Sequence, residues 1–339
     1  MRLRLRSLDQ QVVVITGASS GIGLVTARQA AARGAKVVLA ARNEAALRTL
    51  AAELEAAGTE ALAVRCDVGR REDVAHLAQA AIERFGHFDT WVNNAGVSIF
   101  GRLVDVSVED MHRVMDTVHW GVVYGSLEAV RHYDGTRTQD RAGAIVNVGS
   151  FFGDRAVPIQ SAYMSAKHAM HGFTEGLRME LESDRMPVSV TLVHPGRIDT
   201  PYNDHAQSYI PDKPAHRGVV YPPDAVADAI LHAAAHPTRD MYVGGQARIL
   251  ALVSGLFPRL TDLAMEPYAY PSQTKGEPSQ PRVDSALWHE GDGLRERGTN
   301  APHIMRNGSV YVQLEKALDA AKEVVGGAAR VPVRLLRSR

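Results

Sequence analysis

The octapeptide TGASSGIG at residues 16–23 constrains this chain more than any other stretch. It follows directly on QVVVIT, residues 11–16, and runs into an alanine-rich segment, residues 24–33. An unbroken β-branched run of that kind marks a strand buried on both faces of a sheet. Gly17 lets the backbone turn sharply off the strand, Gly21 leaves room for a pyrophosphate, and Gly23 lets the following helix pack close to the strand. The start of that helix then offers amide donors and the positive end of its dipole to phosphate. A β-turn-α unit that binds a dinucleotide satisfies all of these together. Ser19, Ser20 and Ile22, on the turn itself, join the three glycines as expected contacts.

The same alternation continues. Strands are expected at 36–41, 61–65, 90–93, 144–148, 189–193 and 241–243, with helices at 43–57, 71–85, 108–132, 162–182 and 224–235. Ser107 is a good N-cap for the long helix at 108–132. Strands separated by helices of about 10–15 residues predict an α/β fold, a doubly wound parallel sheet of Rossmann-like type. Residues 1–255 are expected to form the dinucleotide-binding and catalytic domain. Residues 256–339, proline-rich at first, read as an irregular C-terminal extension with one late helix at 311–325. The stretch 197–223, rich in proline and tyrosine, is too long for a simple connection and reads as a binding loop or lid.

Bulk properties exclude some classes. The 339 residues carry 38 basic and 38 acidic side chains, so no net field favours nucleic acid or an anionic membrane. The basic start, MRLRLRSLDQ, leads into only five apolar residues, short of a secretory signal. No apolar run approaches the ~20 residues of a membrane span. The single cysteine, Cys66, permits no internal disulfide and fits a reducing, cytoplasmic setting. The histidines show no metal-ligand spacing, so no metal site is expected.

The end of the second strand bears on the cofactor. An acid at position 41 would accept from the adenosine ribose hydroxyls and favour NAD(H). Here Ala41 is neutral and Arg42 can pair with a 2′-phosphate, so NADP(H) is expected in preference, with NAD(H) possible. Asp67, followed by Val68, is placed after the third strand to meet the adenine. Asn94, Ala95 and Gly96, in the run NNAG, form the polar turn expected beneath a cofactor.

Residues 150–167 read SFFGDRAVPIQSAYMSAK. Tyr163 and Lys167, four apart, share one face of a helix, and Ser150 comes from the end of the strand feeding it. Such a site lets a tyrosine exchange a proton with a carbonyl or alcohol. A phenol of pKa near 10 is a poor base, and a nearby ammonium and an oxidised nicotinamide would both lower that value. A serine hydroxyl can donate to the developing alkoxide.

TGxxxGxG, NNAG, a serine thirteen residues ahead of YxxxK, and the later PG occur in order. Together they resemble the short-chain dehydrogenase/reductase family over residues 11–245. By that resemblance Tyr163 is the general acid/base, Ser150 holds and polarises the substrate oxygen, and Lys167 binds the nicotinamide ribose. PGRIDT, residues 195–200, resembles the segment that packs on the nicotinamide, with Pro195, Gly196, Ile198 and Thr200 as contacts. The resemblance also implies a homodimer or homotetramer built from the helices at 108–132 and 162–182.

One position departs from the family. Val118 stands where a catalytic asparagine holds a water that relays protons from the lysine. A backbone carbonyl holding that water is the favoured substitute; His119 or an impaired relay are the others. The expected activity is interconversion of a small ketone or aldehyde with an alcohol, in an apolar pocket of Phe151, Phe152, Val157, Tyr202 and Tyr209. A sensor or scaffold with impaired turnover, or an epimerase or dehydratase using the same tyrosine, are the alternatives.

Overall fold

A computed structural model of the chain describes residues 3–135, 142–244, 253–279 and 285–299, together with the isolated positions Val312, Gln313 and Ala317. Seven strands form the central sheet: β1 (Val12–Thr16), β2 (Lys36–Ala41), β3 (Ala61–Arg65), β4 (Thr90–Asn93), β5 (Gly143–Val148), β6 (Val188–Pro195) and β7 (Asp240–Val243). Their spatial order is β7-β6-β5-β4-β1-β2-β3, and every pairing is parallel. β1, β5 and β6 are buried along their whole length, as expected of strands covered on both faces of a parallel sheet, and in β5 and β6 that burial takes in Asn147, Ser189, Thr191 and His194.

Helices cover both faces. α1 (Gly21–Ala32), α2 (Glu44–Ala56) and α7 (Pro223–Ala235) supply Leu24, Leu47, Leu50 and Ile230 to one core layer. α3 (Arg71–Phe85), α5 (Gly121–Gly135) and α6 (Ser161–Ser183) supply Leu77, Ala129, Tyr133 and Leu177 to the other. The sheet is therefore doubly wound. Strand order reverses between β1 and β4, so a crevice opens at their carboxyl ends, where ligands bind in sheets of this kind. Buried polar side chains tie the middle of the sheet. Asn93 on β4 donates to Asn147 on β5 at 2.9 Å, and the Trp91 indole donates to Asn93 at 2.8 Å.

The helix expected over 108–132 is interrupted. α4 (Val108–Met115), capped by the Ser107 side chain, gives way to a wide π-turn at Asp116–Trp120 before α5 resumes the α-helical repeat. Such turns insert one residue into the helix and recur at functional sites. The extension is irregular from residue 285 to 299, but it begins with a helix, α8 (Pro258–Gln273), despite Pro267 and Pro271 within it. Pro258 sits in its first turn, where a missing N–H costs nothing. Ala269 of α8 is buried in an apolar cluster with Phe152, Val157 and Met164, and tertiary burial of this kind offsets the two lost backbone bonds. After α8, Thr274–Pro278 pairs antiparallel with Asp212–Pro214. The late helix expected at 311–325 lies almost wholly outside the described residues.

Candidate active site

The glycine-rich turn is as close-packed as its sequence implies. A Cβ on Gly17 would lie 2.8 Å from Ala95 Cα, and one on Gly23 would lie 2.2 Å from the Gly17 carbonyl. Thr16 locks the turn to the next strand: its Oγ1 accepts from the amides of Asn94 and Ala95 at 3.0 and 3.1 Å, while Asn94 Nδ2 donates to the Thr16 carbonyl at 2.9 Å.

From this turn a cavity of about 250 Å³ runs along the crevice. Gly17, Ser19, Ser20, Gly21 and Ile22 line it at one side, Arg42, Asp67 and Val68 at the end of β2 and β3, and Asn94, Ala95 and Gly96 along its floor. Ser150, Tyr163, Lys167, Pro195, Gly196, Ile198 and Thr200 line the other end. Gly23 stays beneath, in the packing of α1. The residues expected from the motifs thus meet in one cleft, and their shape and donors fit a dinucleotide.

Burial governs the protonation of the central trio. Tyr163 is pushed up to about 12 by desolvation, against which its hydrogen bonds with Ser150 and Tyr202 act. Lys167 is pushed down to about 7 by burial; its Nζ donates to the Val148 carbonyl at 2.7 Å and lies 5.8 Å from the centre of the Tyr163 ring. The depression of Tyr163 expected from a lysine ammonium is therefore not found in the protein alone. Desolvation of the phenolate outweighs it, and the lysine itself loses charge. Ser150 Oγ accepts the Phe152 amide at 3.2 Å, which leaves its O–H proton free to donate. Tyr202, stacked edge-on to Tyr163 at 5.6 Å, donates to Ser98 at 2.7 Å.

Val118 is fully buried within the π-turn, packed in an apolar cluster with Val114, Val122, Met164 and Met170. His119 packs against Trp120 and Phe173. Thr117, next to Val118, lines the cavity with Lys167, and its Oγ1 is buried with no hydrogen-bond partner among the described residues. The inserted residue brings Thr117 rather than position 118 to the site, which a count along a regular helix would not show.

A second group missed in the sequence lies directly behind Ser150. Asp154 Oδ1 is 3.0 Å from His171 Nδ1, and its Oδ2 is 3.0 Å from His194 Nδ1. His171 Nε2 accepts the Ser150 amide at 3.4 Å. His194 Nε2 faces Asp240 at 3.4 Å, and its ring stacks on Tyr242. These three side chains are the cluster closest to a metal-ligand set among the described residues. Each ring nitrogen already has a hydrogen-bond partner, and a His171 that accepts at Nε2 must carry its proton on Nδ1. The group reads as a proton-linked brace. Against its burial, Asp154 is held well below the usual carboxylate range by hydrogen bonds to His171 and His194; against its own burial, His194 is raised by Asp154 and Asp240; burial lowers His171.

Arg42 and Asp67 are less free than their motifs suggest. Asp67 pairs with Arg113 at 2.6 Å. The Arg42 guanidinium donates to the carbonyls of Ala286 and, at 3.2 Å, Leu287 in the C-terminal extension. Of the expected pocket residues, Phe151, Phe152 and Val157 line a side chamber of about 220 Å³ with Met265, Tyr268 and Ala269 of α8. Tyr202 lines the main cavity, and Tyr209 instead bonds Asp110 at 2.8 Å. Arg197 lines both chambers with its guanidinium over the Tyr268 ring, so the pocket is not free of charge.

A family model described as short chain dehydrogenase matches residues 11–209. The chain is 57% identical over 327 residues to an uncharacterized oxidoreductase, YxnA, of Bacillus subtilis, covering 96% of this chain and 91% of that one. It is 34% identical over 261 residues to a putative oxidoreductase, SadH, of Mycobacterium tuberculosis, covering 74% and 93%. Among solved structures, a short chain dehydrogenase/reductase from Burkholderia phymatum in complex with NAD superposes with a TM-score of 0.68 at 28% identity, over 76% of this chain and 96% of that one. An alcohol dehydrogenase from Thermococcus sibiricus complexed with 5-hydroxy-NADP gives 0.59 at 28% identity, over 69% and 94%.

Proposed function

This chain belongs to the short chain dehydrogenase family, and on that premise we propose that it interconverts a small ketone or aldehyde with an alcohol, preferring NADP(H). The observation that carries the reading is the single cleft in which Ser150, Tyr163 and Lys167 share a cavity with the glycine-rich turn and Arg42. When bound, the nicotinamide supplies or accepts the hydride at the carbonyl carbon.

The chain itself handles the proton and the oxygen. Burial keeps Tyr163 as the phenol, the form that donates a proton to a carbonyl oxygen as it gains charge. The Ser150 hydroxyl, its oxygen already engaged by the Phe152 amide, is free to donate to the same oxygen. Lys167, with a value near 7, is poised to pass a proton toward the tyrosine and still carry positive charge part of the time. Arg42 and the neutral Ala41 support a preference for a 2′-phosphate.

The side chamber supports a substrate with an apolar body, which would lie against Phe151, Phe152 and Met265. Arg197 adds a cation where that body enters, without a carboxylate partner among the described residues. Exposed Trp120, Leu127 and Met179 on α5 and α6 and the turn before them support a homodimer or homotetramer built on that face. The reading is tested by following oxidation of NADPH and NADH with a panel of ketones and aldehydes, with Tyr163→Phe as the control.

A further inference from the structure

The C-terminal extension returns to the cofactor cleft. Between residues 285 and 299 it lies across the crevice and is tied to both of its lips. On the first lip, the Leu294 amide donates to the Ser19 carbonyl at 2.7 Å, and the Gly21 amide donates to the Arg295 carbonyl at 2.8 Å. Asn43, at the start of α2, donates to the Gly291 carbonyl at 3.0 Å, and Arg42 is held by the carbonyls of Ala286 and Leu287. On the second lip, the loop after β6, Arg295 pairs with Asp204 at 2.8 Å and the Gly298 amide donates to Asp199 at 3.2 Å. The Ala286 amide completes that lip by donating to the His205 carbonyl at 2.8 Å.

The crossing segment is anchored by side chains as well as backbone. Leu287 is fully buried, and Arg113 donates to its carbonyl at 3.0 Å. The Trp288 indole donates to Asp110 at 2.7 Å, with its ring 5.6 Å from the Arg113 guanidinium. Its closeness depends on missing side chains: a Cβ on Gly293 would lie 2.2 Å from the Ala46 Cβ, and one on Gly298 would lie 2.5 Å from the Thr200 carbonyl.

Ala286, Glu290 and Gly291 line the same cavity as Gly17, Arg42, Asp67 and Lys167. The segment thus supplies part of the wall of the same cavity, on the side of Gly21 and Arg42. We propose that residues 285–299 are a built part of the dinucleotide site, closing over its adenosine and pyrophosphate portion and orienting Arg42. This deepens the function proposed above and rests on it. A dinucleotide seated under the segment leaves only when the segment parts from the glycine-rich turn, so exchange is slow and set by that opening. The same contacts join cofactor choice to the extension, because two of its carbonyls aim the arginine that would meet a 2′-phosphate.

Cofactor release is the direct test. Full-length protein loaded with NADPH, or separately NADH, is mixed with excess oxidised cofactor, and loss of the bound nicotinamide fluorescence is timed. The comparison variants are Gly293→Val, which forces the segment off α2, and a chain ending at residue 284. Circular dichroism establishes that each is folded, and Gly293→Val carries the test if the shortened chain is not. The expected result is release about tenfold faster or more in the variants, with association changed far less, and a larger effect for NADPH than for NADH. Release within twofold of the parent chain overturns the proposal, as does faster association with unchanged release, the mark of a segment that competes with the cofactor. Failure of the parent chain to bind either dinucleotide strikes the proposed function instead, and the strap falls with it.

Discussion

His171 accepts the backbone amide of Ser150 through Nε2 at 3.4 Å. With that nitrogen occupied as an acceptor, its proton sits on Nδ1 and is donated to Asp154. The other Asp154 oxygen and Asp240 flank the two nitrogens of His194, so both bonds form only when that ring is an imidazolium. The loop that presents Ser150 is thus braced by a buried charge, in place of the plain loop that a strand-to-helix connection requires.

Asp154→Asn should therefore lower kcat about ten- to a hundredfold, since a lost hydrogen bond to a charged group is worth ~1.5–3 kcal/mol, with cofactor affinity little changed. The brace also has a pH window. His194 is raised above its ordinary 6.5, so its contribution is complete below that value and fades as pH rises through the raised one. Asp154 is depressed below 3.8, so its contribution is complete above that value and fades in strong acid. Asp240, Arg178, Arg239, His171 and Lys167 are the other charged or titratable groups facing the pair. Stability of the parent chain is expected to decline as pH rises above 6.5 and through the raised value of His194, and Asp154→Asn should flatten that decline in thermal melts across pH. An unchanged profile in the variant would contradict the brace.

Arg42→Met should reduce NADPH affinity about ten- to a hundredfold and leave NADH within a few-fold, the loss of one charge-assisted phosphate contact. Titration by fluorescence of the bound reduced cofactor measures both. NADH binding better than NADPH in the parent chain would remove the basis for the Arg42 reading.

Val118→Asn is the substitution the sequence suggests for raising turnover, by restoring an asparagine to the family position. The structure points the other way. Val118 is fully buried among apolar side chains, and an amide there without partners costs about 1–3 kcal/mol. The expected outcome is a lower melting temperature with no gain in kcat. Thr117→Val should instead reduce kcat about tenfold, the hydroxyl beside the cavity being the group able to hold a proton-carrying water. A more active Val118→Asn, or a fully active Thr117→Val, would reverse the assignment.

What could be read in advance, and what could not, divides by distance along the chain. The glycine-rich turn with its flanking strand and helix is local, and so is the pairing of Tyr163 with Lys167 on one helical face. Both were legible from spacing alone. Asp154 meets His194 across 40 residues, and Arg42 meets Leu287 across 245; no period or motif announces either. The π-turn at Asp116–Trp120 follows from packing, since nothing in DTVHW breaks a helix by propensity. α8 forms against its prolines because Thr261, Ala269, Ser272 and Gln273 are buried, a tertiary effect that overrides local preference.

The proposed activity turns on Tyr163 as the proton donor to a carbonyl. Its most direct test is the steady-state oxidation of NADPH by the parent chain and by Tyr163→Phe on the best ketone or aldehyde of a panel. The expected fall in kcat is about 10²–10⁴-fold, the usual worth of a positioned acid, with NADPH binding retained because Phe keeps the ring in place. Turnover in Tyr163→Phe close to that of the parent chain would contradict it.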